Sequence, residues 1–243
     1  MKIRNLIYGF LIAELLILIF ANCQKKRDIE VTDPNPMAPI NFNQSVTYGS
    51  MSDIDGNVYK TVVIGTQTWM AENLKATKYK DGTAIPNVTD IIKWNSSTSG
   101  AYCWYDNNPG FKDVYGALYN GYTIDANKLC PANWHIPTKA EWDILSEFLG
   151  GTTVAGGKLK ETGLTHWLNP NLGANNDIGF TALPAGGIIQ GKNVKLNIQT
   201  FWWASTVYQT DLHTTKAVNY QNGTMAEGGG YPTDGYSIRC VKN

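Results

Sequence analysis

DIDGNVYKTVVIGTQTWMAENL, residues 53–74, carries an Asp-Gly turn, a β-branched run from Val58 to Ile64, a Gly65-Thr66 break and a second extended run from Gln67 to Met70. Turn chemistry between β-branched runs is the signature of a β-hairpin, so the folded part opens on paired strands. At the other end, GYSIRCV at 235–241 also reads as a strand. Pairing the first hairpin with this last strand brings the ends together and leaves the long middle loops on one side. The string Asp53-x-Asp55-Gly56-Asn57 places oxygen donors at alternate positions, as at the start of a calcium loop. An EF-hand would need a bidentate Glu about twelve residues from the first ligand, and Ile64 stands there. The expectation is an Asx-type turn, with a structural calcium as the alternative.

Outward from the hairpin, residues 75–127 mix tyrosine and tryptophan with Gly and Asn, the texture of a loop-rich layer packed by aromatic rings. HIPTKAEWDILSEFLGG, residues 135–151, is the clearest helix: Thr138 is the expected N-cap, Glu141 closes a capping box, and Gly150-Gly151 ends it. Trp142, Leu145 and Leu149 recur at helical spacing and should face the sheet. Residues 156–185 offer one apolar strand, 179–184, and further strands are expected at 200–208 and 216–220.

With 20 Lys+Arg against 20 Asp+Glu, the chain has no basic field to hold a nucleic acid. Aromatics at 12% and 24 glycines exclude a coiled coil or bulk disorder and indicate one turn-rich, aromatic-cored domain.

Residues 1–22 place Lys2 and Arg4 before the apolar run LIYGFLIAELLILIFA at 6–21, which matches a secretory signal and is short of the ~20 residues that span a bilayer. Cys23 follows directly, behind Asn22, and the string resembles a bacterial lipoprotein signal in which the cysteine is diacylated. That implies an outer-membrane lipoprotein of the cell envelope, with the lipid as its membrane anchor. Residues 23–52 carry prolines and no burial period and read as a flexible tether, with the domain at 53–243. Lys25, Lys26 and Arg27 stand where surface-displayed lipoproteins usually carry acidic residues, so either leaflet is open.

Asp55-Gly56-Asn57-x-Tyr59, Gln67-x-Trp69-Met70-Ala71-Glu72-Asn73-Leu74, Ala101-Tyr102-Cys103-Trp104-Tyr105, Leu129-Cys130-Pro131, Trp134-His135-Ile136-Pro137-Thr138 and Gly235-Tyr236-Ser237-Ile238-Arg239-Cys240-Val241 together resemble the Fibrobacter succinogenes major paralogous domain family. The stretch Ile136-Pro137-Thr138-x-Ala140-Glu141-Trp142 and the closing Arg239-Cys240-Val241 are also similar to the formylglycine-generating, sulfatase-modifying-factor group. The implied fold is α+β and C-type-lectin-like, with small antiparallel sheets and few helices. Such domains tie the segment leading into a helix to the last strand, which implies a Cys130–Cys240 disulfide; spacing alone also allows Cys103–Cys130. The copper-dependent thiol oxidase chemistry of that second group needs two cysteines near the C-terminal core, and only Cys240 lies there.

His135, His166 and His213 lie far apart without Cys-x-x-Cys, so no metal site is expected. No residue pattern marks a nucleophile, and Asp106, Asp113, Asp125, Asp177 and Asp234 sit in turn-like stretches, so no catalytic residue is assigned. The expected role is non-catalytic binding of a glycan or an envelope protein, with a carbohydrate-active hydrolase and a structural assembly component as alternatives. Trp202 and Trp203 are neighbours on one strand and should point to opposite faces, one into the core and one outward as a stacking platform. Asn219, Tyr220, Gln221 and Asn222, in the next strand and its turn, complete the candidate ligand-binding set. Arg239, the last arginine of the chain, is expected to make structural contacts to carbonyls or a carboxylate.

Overall fold

The computed structural model describes residues 33–243; the expected signal at 1–22 and the lipidation residue Cys23 lie outside the described residues. Along the chain, β1 (Gly49–Ser52), β2 (Val58–Ile64) and β3 (Gln67–Met70) form an antiparallel meander. The aromatic middle contributes α1 (Ile91–Asn95), β4 (Tyr102–Cys103), α2 (Lys112–Tyr115), β5 (Leu118–Asn120) and α3 (Tyr122–Asp125). β6 (Trp134–His135) then leads into α4 (Lys139–Phe148) and α5 (Thr152–Leu159). The second half runs through β7 (Ala185–Ile189), β8 (Lys192–Leu196), β9 (Gln199–Gln209), β10 (Leu212–Asn219) and β11 (Ala226–Gly230). β12 (Gly235–Tyr236) and β13 (Val241–Lys242) close it.

The result is a sheet-rich mixed fold with few helices. One sheet has the order β1-β2-β3-β13-β6; the other runs β11-β10-β9-β7-β12-β5-β4 with β8 on β7. All pairings are antiparallel except β7 with β9. Val241 pairs with Trp69, so the hairpin and the last strand meet as expected. The helix is as read: Thr138 Oγ1 accepts from Glu141 N while the Glu141 carboxylate accepts from Thr138 N. Its apolar face puts Trp142 4.7 Å from Trp69 and 5.6 Å from Trp202, ring to ring, and Phe180 closes this aromatic cluster. Each such side chain gains roughly 2–3 kcal/mol from burial, with about 1 kcal/mol more per well-placed ring pair.

The expected strand at 235–241 divides between the two sheets. From Ser237 to Cys240 the chain crosses from one sheet to the other, and Arg239 sits in that crossing, buried. Its Nε donates to Asn73 Oδ1 (2.7 Å), Nη1 to the carbonyls of Met70 (3.1 Å) and Phe180 (2.6 Å), and Nη2 to Thr181 (3.0 Å). The Phe180 ring lies 4.5 Å from the guanidinium. Burial pulls the Arg239 pKa down to about 9, and four oxygen acceptors hold the charge in place of a carboxylate.

This node also explains why residues 179–184 are not the strand expected of them. Two of their carbonyls face the guanidinium, Thr181 takes a positive φ of 54°, and one isolated bridge, Lys160 to Ala182, is all the pairing they make. Helix α5 escaped notice because Gly156 and Gly157 suit a helix poorly. Here they allow close approach: a Cβ would lie 2.3 Å from Thr224 O at Gly156 and 2.5 Å from Gly173 O at Gly157.

The boundary of the tether is corrected as well. The compact unit is Asp33–Asn243, so residues 33–52 belong to the fold. Phe42, Val46 and Tyr48 pack on the core that holds Trp69, Trp142, Phe180 and Trp202, Asn35 N donates to Thr165 O, and Asn41 N donates to Glu161 Oε1. Sparse single contacts of this kind leave no periodicity to read. The strap is pinned by a buried pair: His166 Nδ1 lies 2.6 Å from Glu161 Oε2, and its Nε2 lies 3.0 Å from Ala38 O. Both ring nitrogens face acceptors, so donating to both takes an imidazolium. Burial lowers the His166 pKa, but Glu161 outweighs it and the net shift is upward. A raised basic pKa adds stability that is complete below the unfolded-state value near 6.5 and is lost as pH rises through the folded-state value. Proteolysis within residues 33–48 should therefore accelerate on the alkaline side of that transition. Glu161→Gln should flatten the profile; a wild-type cleavage rate independent of pH between 6 and about 9 would exclude the imidazolium clamp.

Candidate functional site

β9 is a central strand with a core on each face, and this decides the fate of the tryptophan pair. Trp202 and Trp203 do point to opposite sides, yet both are 0% exposed. Trp202 enters the Trp142–Phe180 cluster and donates from Nε1 to Asn73 Oδ1 (3.1 Å). Trp203 lies 4.6 Å from the Tyr236 ring and donates to Tyr119 O (2.8 Å). Neither is a stacking platform: strand alternation gives two directions and does not say that one of them meets water.

Asn219, Tyr220, Gln221 and Asn222 form a turn in which Asn219 and Tyr220 are half-buried and Gln221 and Asn222 exposed. Asn219 Oδ1 accepts from Gln221 N and Asn222 Oδ1 from Thr224 N, side-chain turns of the Asx kind, and Tyr220 packs against the core that holds Trp142 and Trp202. The carbonyls of Asn219 and Asn222, with that of Leu172, hold the buried Lys160 ammonium at 2.8–3.0 Å. Burial brings the Lys160 pKa down to about 8. This turn anchors a cation of the protein's own.

A concave surface lies on the Phe201 face of the same strands, where Gln199, the register partner of Asn219, also stands. Cross-strand register places Phe201 opposite Ala217 and Ala217 opposite Ala226, with Thr215 opposite Gly228 in the next row. Small residues on β10 and β11 thus make a floor, and Phe201, stacked on Tyr236 with centroids 4.9 Å apart, makes a wall. Gln190 and Gln199 add amides, and Tyr231, 60% exposed, stands at the rim of this groove of about 390 Å3. Glycine is required at 230, where a Cβ would come within 2.5 Å of Trp203.

Asp234 fixes the rim. Its carboxylate accepts from Tyr231 N (3.0 Å), Tyr236 OH (3.2 Å) and Gln190 N (3.4 Å), joining three segments. Burial raises its pKa against those hydrogen bonds, and burial followed by the Asp234 charge raises that of Tyr236. Glu227 is turned to Lys216 (2.7 Å) and Lys139 (3.3 Å), the former also bound to Asp143 at 2.8 Å. The Phe201–Tyr231 set was missed because the adjacent tryptophans drew the reading. A Tyr between glycines 228–230 and Pro232 was the available signal for a displayed ring.

The remaining candidates resolve locally. Asp53 accepts from the Asp55 and Asn57 amides, Asn57 Nδ2 and Tyr59 OH, and Asp55 accepts from Thr77 and faces Lys78 at 3.2 Å, so the carboxylates close the expected Asx-type turn on protein donors. Among the described residues no group of three His, Cys, Asp or Glu is placed to hold a metal. Cys130 and Cys240 are disulfide-bonded; Cys103 is a buried thiol whose pKa burial pushes up to about 12. Residues 62–242 match the family model of the Fibrobacter succinogenes major domain. No curated protein and no solved structure matches the chain.

Proposed function

The chain belongs to the Fibrobacter succinogenes major domain family, and on that premise we propose that it is a non-catalytic glycan-binding module of the bacterial cell envelope, anchored through a diacylated Cys23. The observation that carries this reading is the groove in which the Phe201–Tyr236 stack and the displayed Tyr231 flank a small-residue floor beside Gln190 and Gln199. Aromatic faces stack on the C–H faces of sugars while amides exchange hydrogen bonds with hydroxyls. Asp234, the carboxylate of the groove with a raised pKa, has both oxygens engaged as a loop pin, which favours holding over acid catalysis. A C-type-lectin-like assignment is supported by the motif strings, by the pairing of the last strand with the first hairpin, and by a disulfide that ties the segment before a helix to that strand.

A glycan array probed with the full chain tests the reading. Saturable binding is expected, weakened about tenfold or more, ~1.4 kcal/mol, by Phe201→Ala. Turnover of a bound glycan would replace the proposal with a hydrolase, and an empty array with a co-purifying envelope protein would replace it with an assembly role.

A further inference from the structure

Beyond Tyr231 lies a second groove of about 560 Å3, bordered by Tyr122, Val207, Leu212 and Pro232. Tyr231 borders both grooves, and Asp234 grips the backbone on which it stands. The two concavities therefore meet at one aromatic ridge whose backbone is held in place, and each falls in the ~300–1,000 Å3 range of small-ligand sites. Neither groove is bordered by a lysine or arginine among the described residues. Its carboxylates are mostly spoken for: Asp234 by three donors, Glu227 by two lysines, and Asp125 by His213 Nε2 at 3.4 Å. Asp211 adds a further carboxylate to the second groove, and the ammonium groups nearest the first, Lys139 and Lys216, are already held by Glu227 and Asp143, so an anionic ligand would lose its hydration and gain no uncommitted cation in return.

We infer, resting on the glycan-binding reading of the first groove, that the ligand is an uncharged oligosaccharide long enough to cross Tyr231 and occupy both grooves. Its chain lies over the tyrosine ring, with the Phe201–Tyr236 wall holding one end and the Val207–Leu212 side the other. Length and absence of charge are what the site selects.

The test measures binding of the immobilised full chain to uncharged gluco-, manno- and xylo-oligosaccharides from disaccharide to hexasaccharide, and to oligogalacturonates of matched length. Affinity should rise about tenfold or more with length, and matched uronates should bind about tenfold more weakly. Tyr231→Ala should abolish the gain with length. Val207→Asp, at a 65% exposed position on the far side, should weaken the hexasaccharide and spare the disaccharide. Equal affinity for short and long chains, or uronates bound as tightly as uncharged chains, would overturn the inference while leaving the first groove a glycan site. No binding at any length or charge would overturn both.

Discussion

Arg239→Met is expected to lower the melting temperature by roughly 10 °C, and Arg239→Lys to recover little of it. The guanidinium reaches Asn73, Met70, Phe180 and Thr181 at once, from the point where the chain crosses between the two sheets. Removing it relieves the cost of a buried charge, but the Phe180 and Thr181 carbonyls lose their donors in a site closed to water. Breaking such a network costs about 3–5 kcal/mol, and each kcal/mol moves the midpoint of a domain this size by roughly 2–4 °C. Lysine keeps the charge but concentrates its donors at one atom, which cannot span acceptors set around a planar fork. Thermal melts of the two variants decide it; a lysine variant melting within about 2 °C of wild type would show that charge alone, and not the fork, holds the crossing.

Local rules made part of this architecture legible in the sequence. β2 and β3 fall where the Asp-Gly turn and β-branched run placed them, and the Thr138–Glu141 box sets the start of α4, because both are decided by residues within a few positions. What escaped reading depends on partners far along the chain. Residues 179–184 look like a strand until Arg239 takes their carbonyls, and Gly156-Gly157 look like a break until Thr224 and Gly173 close on them. The site was misread for a related reason. Trp202 and Trp203 are the most conspicuous aromatics of β9, but a central strand with a core on each face hides both, and Phe201, one position earlier, becomes the ring at the groove.

The strings that carry the family resemblance turn out to build scaffold. Gln67 receives Trp69 Nε1; Asn73 receives Trp202 and Arg239 while donating to Tyr115 O and Ser237 Oγ; His135 bridges Glu141 and Asn243. Most of the groove comes from residues outside those strings, Phe201, Thr215, Ala217, Gly228 and Tyr231 among them. The resemblance therefore speaks more strongly for the fold than for the ligand.

Replacing both Cys130 and Cys240 by serine is expected to cost about 4–5 kcal/mol, read as a lower urea midpoint. The bridge spans 110 residues, and chain entropy for a loop of roughly that length accounts for this magnitude. The local geometry makes the loss felt at one place: β13 is two residues long and is held by Val241 against Trp69 and His135, so the covalent tie at the preceding residue does much of the holding. A double substitution is required, since a single one leaves a thiol able to pair with Cys103 once the chain opens. An unchanged midpoint would mean that the strand needs no tether. Arg239 immediately precedes Cys240 and anchors the same crossing, so adding Arg239→Met to the serine pair should cost less than the two effects added together; full additivity would show that the bridge and the guanidinium secure separate parts of the fold.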